Sequence, residues 1–140
     1  MSFTKILFPV DNSDYSRKAI ELVASLTCKD RGEVTLLHVV PPIPALIGNP
    51  MHTRLQEEMT AAAKEFLREF KAELEDEELD VKVMVRHGDA ASEILEAAQE
   101  EGCEIIVMGA RGLGSLAEMF LGSVSQKILQ YSKIPVAIAR

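Results

Sequence analysis

Short strand patterns alternate with longer helical patterns along this 140-residue chain, and this alternation is the feature that most restricts its fold. Strands that follow one another through helices run parallel and are joined by right-handed crossovers. The sequence therefore predicts an α/β fold built on a parallel sheet. The five predicted strands cover residues 5–10, 34–40, 80–87, 104–108 and 134–139.

The strand sequences also predict the order of the sheet. The first, second and fourth strands are apolar on both faces, as interior strands covered by helices on both sides should be. The third strand alternates valines with Lys82, Met84 and Arg86, and so has one wet side. The fifth contains Pro135, which lacks a ladder amide; both strands are typical of sheet edges. We therefore predict one domain over 1–140 with an open, Rossmann-like sheet in the order 3-2-1-4-5.

Helical patterns connect these strands. The first helix is predicted over 13–29 and the last over 122–131, while the third runs through Ala98 with Asp89 as its N-cap. The second helix is the longest, and apolar residues at helical spacing are expected to line its buried face. These residues are Leu55, Met59, Ala63, Phe66, Phe70 and Leu74.

Composition and charge exclude several classes of partner. The net charge of −7 argues against nucleic-acid binding, which depends on a basic face. No apolar run approaches the roughly 20 residues of a membrane-spanning helix, and the start of the chain lacks the apolar stretch of a secretory signal. Cys28 and Cys103 have no metal-ligand spacing and are predicted to be buried free thiols. We expect a cytoplasmic protein without membrane or nucleic-acid partners.

The predicted strand order places a ligand crevice at one end of the sheet. Chain direction reverses between the first and fourth strands, so their carboxyl ends border a crevice, which is the usual ligand position in such sheets. Pro9, Val10 and Asp11 lie at the end of the first strand, and Met108 and Gly109 lie at the end of the fourth. The richest glycine segment, 109–125, therefore starts at the predicted crevice.

This segment, GARGLGSLAEMFLGSVS, has features of a phosphate-binding loop. Glycines let backbone amides approach a phosphate closely, and a helix beginning at Gly122 or Ser123 directs free N–H groups and a positive dipole end toward it. Ser123 and Ser125 add hydroxyls, and Arg111 adds a guanidinium. From the residues alone, a glycine-rich crossover with an ordinary N-cap at Ser123 explains the segment equally well.

Two familiar phosphate motifs do not account for the segment. A P-loop needs a lysine directly after its second glycine, and the sequence has none there. The stretch from Gly112 to Ala117 matches the dinucleotide pattern G-x-G-x-x-A. However, it lies near the chain end and not in the first strand-to-helix turn, where that pattern acts.

The glycine spacing resembles that of a known family. Gly109-x2-Gly112-x9-Gly122-Ser123 is similar to the ATP-binding signature of the universal stress protein family. The likeness continues through residues 5–23, LLHVV at 36–40, HGDAASEIL at 87–95 and the terminal IPVAIAR. It covers essentially the whole chain in order, and it implies a five-stranded parallel sheet in 3-2-1-4-5 order.

The resemblance also implies an ATP site and a homodimer. It places Pro9, Asp11 and Val39 around the adenine and ribose, with Met108 and Gly109 beneath them. Mg²⁺ or Mn²⁺ is expected between the phosphate oxygens, and the terminal strand 134–139 is expected to meet its copy across a two-fold axis. The phosphates are assigned to Arg111, Gly112, Gly122, Ser123, Val124 and Ser125.

Three functional hypotheses remain open. A nucleotide-dependent dimeric switch in stress response is favoured, because no catalytic residues or protein metal ligands are placed. The alternatives are a slow ATPase or adenylyl-transfer enzyme that uses Asp11, a metal and Arg111, and a nucleotide-free dimeric scaffold. The histidines are expected in structural roles: His38 in the core, His52 in a solvent-exposed loop and His87 in a turn. A position of His38 or His87 near the crevice stays open as an alternative.

Overall fold

The computed structural model describes residues 2–110 and 122–140, which form a parallel sheet flanked by helices. The strands lie in the order β3-β2-β1-β4-β5, and every neighbouring pair is parallel, so the predicted fold and order are confirmed. The strands are β1 (Lys5–Pro9), β2 (Glu33–Val40), β3 (Asp80–His87), β4 (Ile105–Gly109) and β5 (Val136–Ala139). The helices are α1 (Asp14–Leu26), α2 (Met51–Asp76), α3 (Ala90–Glu100) and α4 (Ser123–Tyr131).

Both faces of the sheet are buried. Alternate residues of a strand point to opposite faces, so Ile6 and Phe8 of β1 pack with α1 and α2 on one face. Leu7 packs with α3 and α4 on the other. Burying each such side chain contributes about 1.5–3 kcal/mol, so both helical layers are needed to stabilise the central strands. The carboxyl ends of the strands are thereby held in one rigid frame.

The edge strand β3 differs in detail from its prediction. The side that carries its charged residues is not fully exposed to solvent, because Arg86 forms ion pairs with three glutamates of α3. Val83 lies on the supposedly buried side and is 40% exposed, as an edge position allows. The glutamates are Glu93 at 3.0 Å, Glu96 at 3.6 Å and Glu100 at 3.2 Å. These ion pairs fix α3 against the sheet.

The buried stripe of α2 begins later than predicted. Met59 is 37% exposed, whereas Leu67, which the predicted stripe omits, is fully buried. A helix of 26 residues is about 39 Å long, but an eight-residue strand is only about 26 Å long. Since the helix is longer than the strands that it covers, its first turns have little sheet beneath them, and full burial starts at Ala63.

Four predictions concern the helix ends and the cysteines, and two are confirmed while two are wrong. Asp89 caps α3 as predicted, and its carboxylate accepts the Ser92 amide. The first helix ends at Leu26, earlier than expected, because Thr27 has an extended backbone and the Cys28 amide donates to the Phe3 carbonyl at 2.8 Å instead of continuing the helix. Cys28 consequently lies in the following loop and is partly exposed, contrary to prediction. Cys103 is buried as predicted, and burial raises the pKa of its thiol.

One carboxylate ties the starts of β1 and β4 together. Glu104 Oε1 accepts hydrogen bonds from the Thr4 hydroxyl at 2.7 Å, the Thr4 amide at 2.7 Å and the Lys5 amide at 2.9 Å. The hydrogen bond from the Thr4 hydroxyl, followed by those from the two amides, lowers the pKa of Glu104 below its ordinary value. The charged form is therefore favoured in the folded protein.

We expect Glu104→Gln to lower the free energy of unfolding at neutral pH. In acid, we expect the same substitution to lower it by a smaller amount. Because the folded-state pKa is depressed, the carboxylate stabilises the fold above the unfolded-state pKa. That contribution is lost as the pH falls through the folded-state value. Urea unfolding at about pH 7 and about pH 3, on either side of the ordinary glutamate pKa of roughly 4.3, measures the change. A difference from the wild type that is the same at both pH values would contradict this role.

Candidate functional site

A cleft of about 220 Å³ lies at the carboxyl ends of the central strands, where the chain direction reverses. The pairing between β1 and β4 runs through Ile6 and Leu7, and the strands diverge beyond it toward Pro9. The first turns of α3 and α4 border the opening. The lining residues are Pro9, Val10, Asp11, Ser16, Leu37, His38, Val39, Pro41, Ala90, Ile94, Met108, Gly109, Val124 and Ser125.

Most of the predicted site residues lie around this cleft. Gly122 and Ser123 stand at the start of α4, as its N-cap and first residue, but they are not part of the lining. Arg111 and Gly112 lie outside the described residues. The predicted residues that do line the cleft are Pro9, Asp11, Val39, Met108, Gly109, Val124 and Ser125.

Several lining residues were not predicted. Ala90 and Ile94 come from the first turns of α3, and His38 and Pro41 come from the end of β2 and the residue that follows it. The α3 residues were accessible to sequence reasoning, because the predicted order puts the start of that helix at the same end of the sheet. A core position was favoured for His38, with a position near the crevice left open; the side chain is half-buried and lines the cleft.

Asp11 holds together the turn between β1 and α1. Its Oδ1 accepts the Ser13 amide and the Ser16 hydroxyl, both at 3.0 Å, and its own amide donates to the Ser16 oxygen at 3.0 Å. Ser13 caps α1 by accepting the Ser16 amide. Short Asx-type turns of this kind are a common use of aspartate. The carboxylate is therefore a structural part of the cleft wall.

Gly109 allows a very close approach of β4 to α1. A Cβ atom at this position would lie 2.1 Å from the Tyr15 carbonyl oxygen and 2.8 Å from the Ser16 nitrogen. Both are backbone atoms of the first turn of α1, so moving either of them would require a shift of the helix itself. The glycine at the end of β4 is thus required by packing, whether or not a ligand is present.

The first turn of α4 borders the cleft through Val124 and Ser125. Gly122, the N-cap, has no side chain, and within the described part of the chain no side-chain group caps this helix. The amides of Ser123, Val124 and Ser125 come before the first intrahelical bond, which Gln126 makes to Gly122 at 3.0 Å. Ser125 is buried against the cleft. Such a helix end favours a negatively charged group.

Residues 2–110 and 122–140 contain neither a metal-binding cluster nor a membrane-spanning helix. No group of three or more His, Cys, Asp or Glu side chains is placed to hold a metal ion there. None of the helices in those ranges combines the length and the apolar character that crossing a membrane requires.

A sequence model of the universal stress protein family matches residues 2–140. The chain belongs to the universal stress protein family. Universal stress protein YxiE of Bacillus subtilis is 32% identical over 147 residues, covering 99% of each chain. Universal stress protein MJ0577 of Methanocaldococcus jannaschii is 30% identical over 154 residues, covering 99% of this chain and 95% of the relative.

Solved structures of family members share the fold. The MJ0577 structure superposes with a TM-score of 0.89 and 32% identity, over 99% of this chain and 96% of that one. A universal stress protein in complex with cAMP has a TM-score of 0.76 and 20% identity, over 100% and 98% of the two chains. One from Archaeoglobus fulgidus in complex with dAMP has a TM-score of 0.74 and 19% identity, over 100% of both. At such low identity the last two bear on the fold alone.

Proposed function

We propose that this member of the family binds an adenine nucleotide, in the first place ATP, in the cleft between β1 and β4. The observation that carries the proposal is the position of the first turn of α4, which no side chain of residues 2–110 or 122–140 caps, beside a mostly apolar cleft. Val39 and Met108 offer apolar surface for adenine, while Asp11 and the Gly109 backbone lie near the ribose. The phosphates extend toward Gly122, Ser123, Val124 and Ser125, with Arg111 and Gly112 as further contacts.

The size and polarity of the cleft support this orientation. Its volume of about 220 Å³ is below the roughly 300–1,000 Å³ of pockets that enclose a whole drug-sized ligand, so it suits the nucleoside portion. The charged phosphates then lie outside it, at the positive end of the α4 dipole. Two family members of the same fold are seen with the adenine nucleotides cAMP and dAMP.

The charge of the chain makes local donors necessary. With a formal net charge of −7, the long-range field opposes an incoming polyphosphate. Amides, hydroxyls and a divalent cation act at short range and offset that field. We therefore expect Mg²⁺ or Mn²⁺ to accompany the nucleotide, bound between phosphate oxygens and not by a cluster of protein ligands.

Binding without turnover is the favoured activity. Phosphoryl transfer needs a group that orients the nucleophile, in addition to contacts to the phosphates. Asp11 was the candidate for that role, and its Oδ1 is already engaged by Ser13 and Ser16.

We propose a cytoplasmic, single-domain switch of the stress response in which nucleotide occupancy alters a homodimer. The dimer forms through the edge strand at residues 134–139, since an exposed edge offers unpaired backbone groups.

Calorimetric titration with ATP, with and without Mg²⁺, tests the proposal. The expected result is saturable binding of one nucleotide per chain, tighter with the metal, to protein from which bound nucleotide has been removed. Light scattering on the same sample is expected to give the mass of a dimer. Absence of binding heat, together with no nucleotide released when freshly purified protein is denatured, would leave the nucleotide-free scaffold. Sustained ADP production that Asp11→Asn abolishes would favour the enzyme.

A further inference from the structure

We infer that His38 is a positioning residue for the nucleotide site, and this inference rests on the function proposed above. Its imidazole Nδ1 lies 2.7 Å from the carbonyl oxygen of Val10, the residue directly before Asp11. A carbonyl oxygen only accepts hydrogen bonds, so Nδ1 carries the proton and donates it. The side chain of β2 thus holds the backbone at the end of β1.

The hydrogen bond between His38 and Val10 lies at the point where the backbone pairing between β1 and β2 ends. The Val10 amide still donates to the Leu37 carbonyl at 2.8 Å, but the chain then turns away from β2 into the Asp11 turn. Val10 is buried, and a buried carbonyl without a partner costs about 1–3 kcal/mol. His38 supplies that partner. Both polar backbone groups of Val10 are therefore bonded to β2, through its backbone and through one side chain.

The imidazole is itself held in place by α2. Phe66 contacts it edge-to-face, with ring centroids 4.8 Å apart, and Phe66 in turn contacts Phe70 at 6.4 Å. Phe70 is fully buried and packs against Phe8 of β1 at 6.1 Å. Aromatic contacts of this geometry fix ring orientation. The position of the Val10 carbonyl is therefore set by the packed core on the side of α1 and α2.

The position of Val10 matters because Asp11 follows it. The Asp11 amide and carboxylate organise the turn that forms one wall of the cleft, through Ser13 and Ser16. The Val10 carbonyl and the Asp11 amide belong to one peptide unit, which is held on the carbonyl side by His38 and on the amide side by Ser16. Loss of the His38 bond leaves the carbonyl side unrestrained by β2, so we expect the peptide to tilt and the cleft wall to change shape. We therefore expect His38 to affect nucleotide affinity through this turn, without needing to touch the nucleotide.

Three variants test this inference. His38→Leu removes the hydrogen-bond donor. His38→Asn keeps a donor, because the asparagine side-chain nitrogen is attached to Cγ, as Nδ1 of histidine is. His87→Leu is the matched control, because His87 also makes a side-chain hydrogen bond, from Nε2 to Thr60 Oγ1 at 2.9 Å, at a position that does not line the cleft.

The first measurement needs no nucleotide. In amide NMR spectra of the nucleotide-free protein, we expect His38→Leu to shift the signals of Asp11, Ser13 and Ser16, and His38→Asn to restore them largely. His87→Leu should leave them in place. Imidazole nitrogen shifts of the wild type should show the proton of His38 on Nδ1. Unchanged turn signals in His38→Leu, or an asparagine variant that behaves like the leucine one, would overturn the inference.

The second measurement is the affinity for ATP with Mg²⁺ by calorimetry. We expect a loss of about 10-fold in His38→Leu, recovery to within about 3-fold in His38→Asn, and no change in His87→Leu, as for one lost hydrogen bond. A shifted turn with unchanged affinity would contradict the link to the site. If the wild type binds no nucleotide, the proposed function fails, and the spectra alone decide whether His38 positions the turn.

Discussion

Replacing Gly109 with alanine is expected to lower the free energy of unfolding by about 3 kcal/mol, at the upper end of overpacking effects. The added Cβ would lie 2.1 Å from the Tyr15 carbonyl oxygen and 2.3 Å from its carbon. Both atoms belong to the first helical turn, so the helix or the strand must shift as a whole. Urea unfolding of the nucleotide-free protein measures the effect without a contribution from a ligand.

Gly48→Ala is the matched control for this experiment. The same methyl group is added, but a Cβ at Gly48 meets no atom within 4 Å. We expect its free energy of unfolding to lie within about 0.5 kcal/mol of the wild type. If Gly109→Ala were as stable as Gly48→Ala, the close approach of β4 to α1 would be wrong. The glycine would then need a ligand-based explanation.

Filling the cleft is expected to have the largest effect on binding. Ala90 lines it from the first turn of α3 and is only partly buried, so we expect a tryptophan there to occupy the cleft. We expect Ala90→Trp to weaken ATP binding by about 100-fold, which corresponds to about 2.7 kcal/mol. The free energy of unfolding should change little. Calorimetry and urea unfolding on the same preparation separate the two effects.

Ala62→Trp serves as the control, since Ala62 is an exposed alanine on α2 that does not line the cleft. It adds the same side chain and should leave ATP affinity at the wild-type value. Wild-type affinity in Ala90→Trp, with a stable fold, would mean that the nucleotide binds elsewhere. A similar loss in both variants would show that the tryptophan acts through general destabilisation.

The strand order was predictable because a strand that is buried on both faces has a continuous apolar sequence, whereas an edge strand alternates apolar and polar residues. The strands around Ile6, Leu37 and Ile106 lack the alternation that an edge shows, and Pro135 excludes the last strand from the middle. The crevice then follows from topology alone. The family resemblance added the phosphate contacts, of which Arg111 and Gly112 lie outside the described residues and stay predictions.

The remaining parts of the site depend on distances that no local pattern encodes. His38 lies within an apolar strand, and its bond to Val10 joins residues 28 positions apart. The requirement for glycine at position 109 comes from α1, more than 90 residues earlier in the chain. Likewise, the exposure of Met59 depends on the length of α2 relative to the sheet. Such features need the assembled fold.

NMR mapping of an ATP titration with Mg²⁺ tests most directly whether the cleft between β1 and β4 holds an adenine nucleotide. The predicted result is a set of saturable amide shifts concentrated at Val39, Met108 and Ser125. A second cleft, lined by Cys103 and Tyr131 among others, should be unaffected. Shifts confined to that second cleft, or no shifts at millimolar ATP, would contradict the claim.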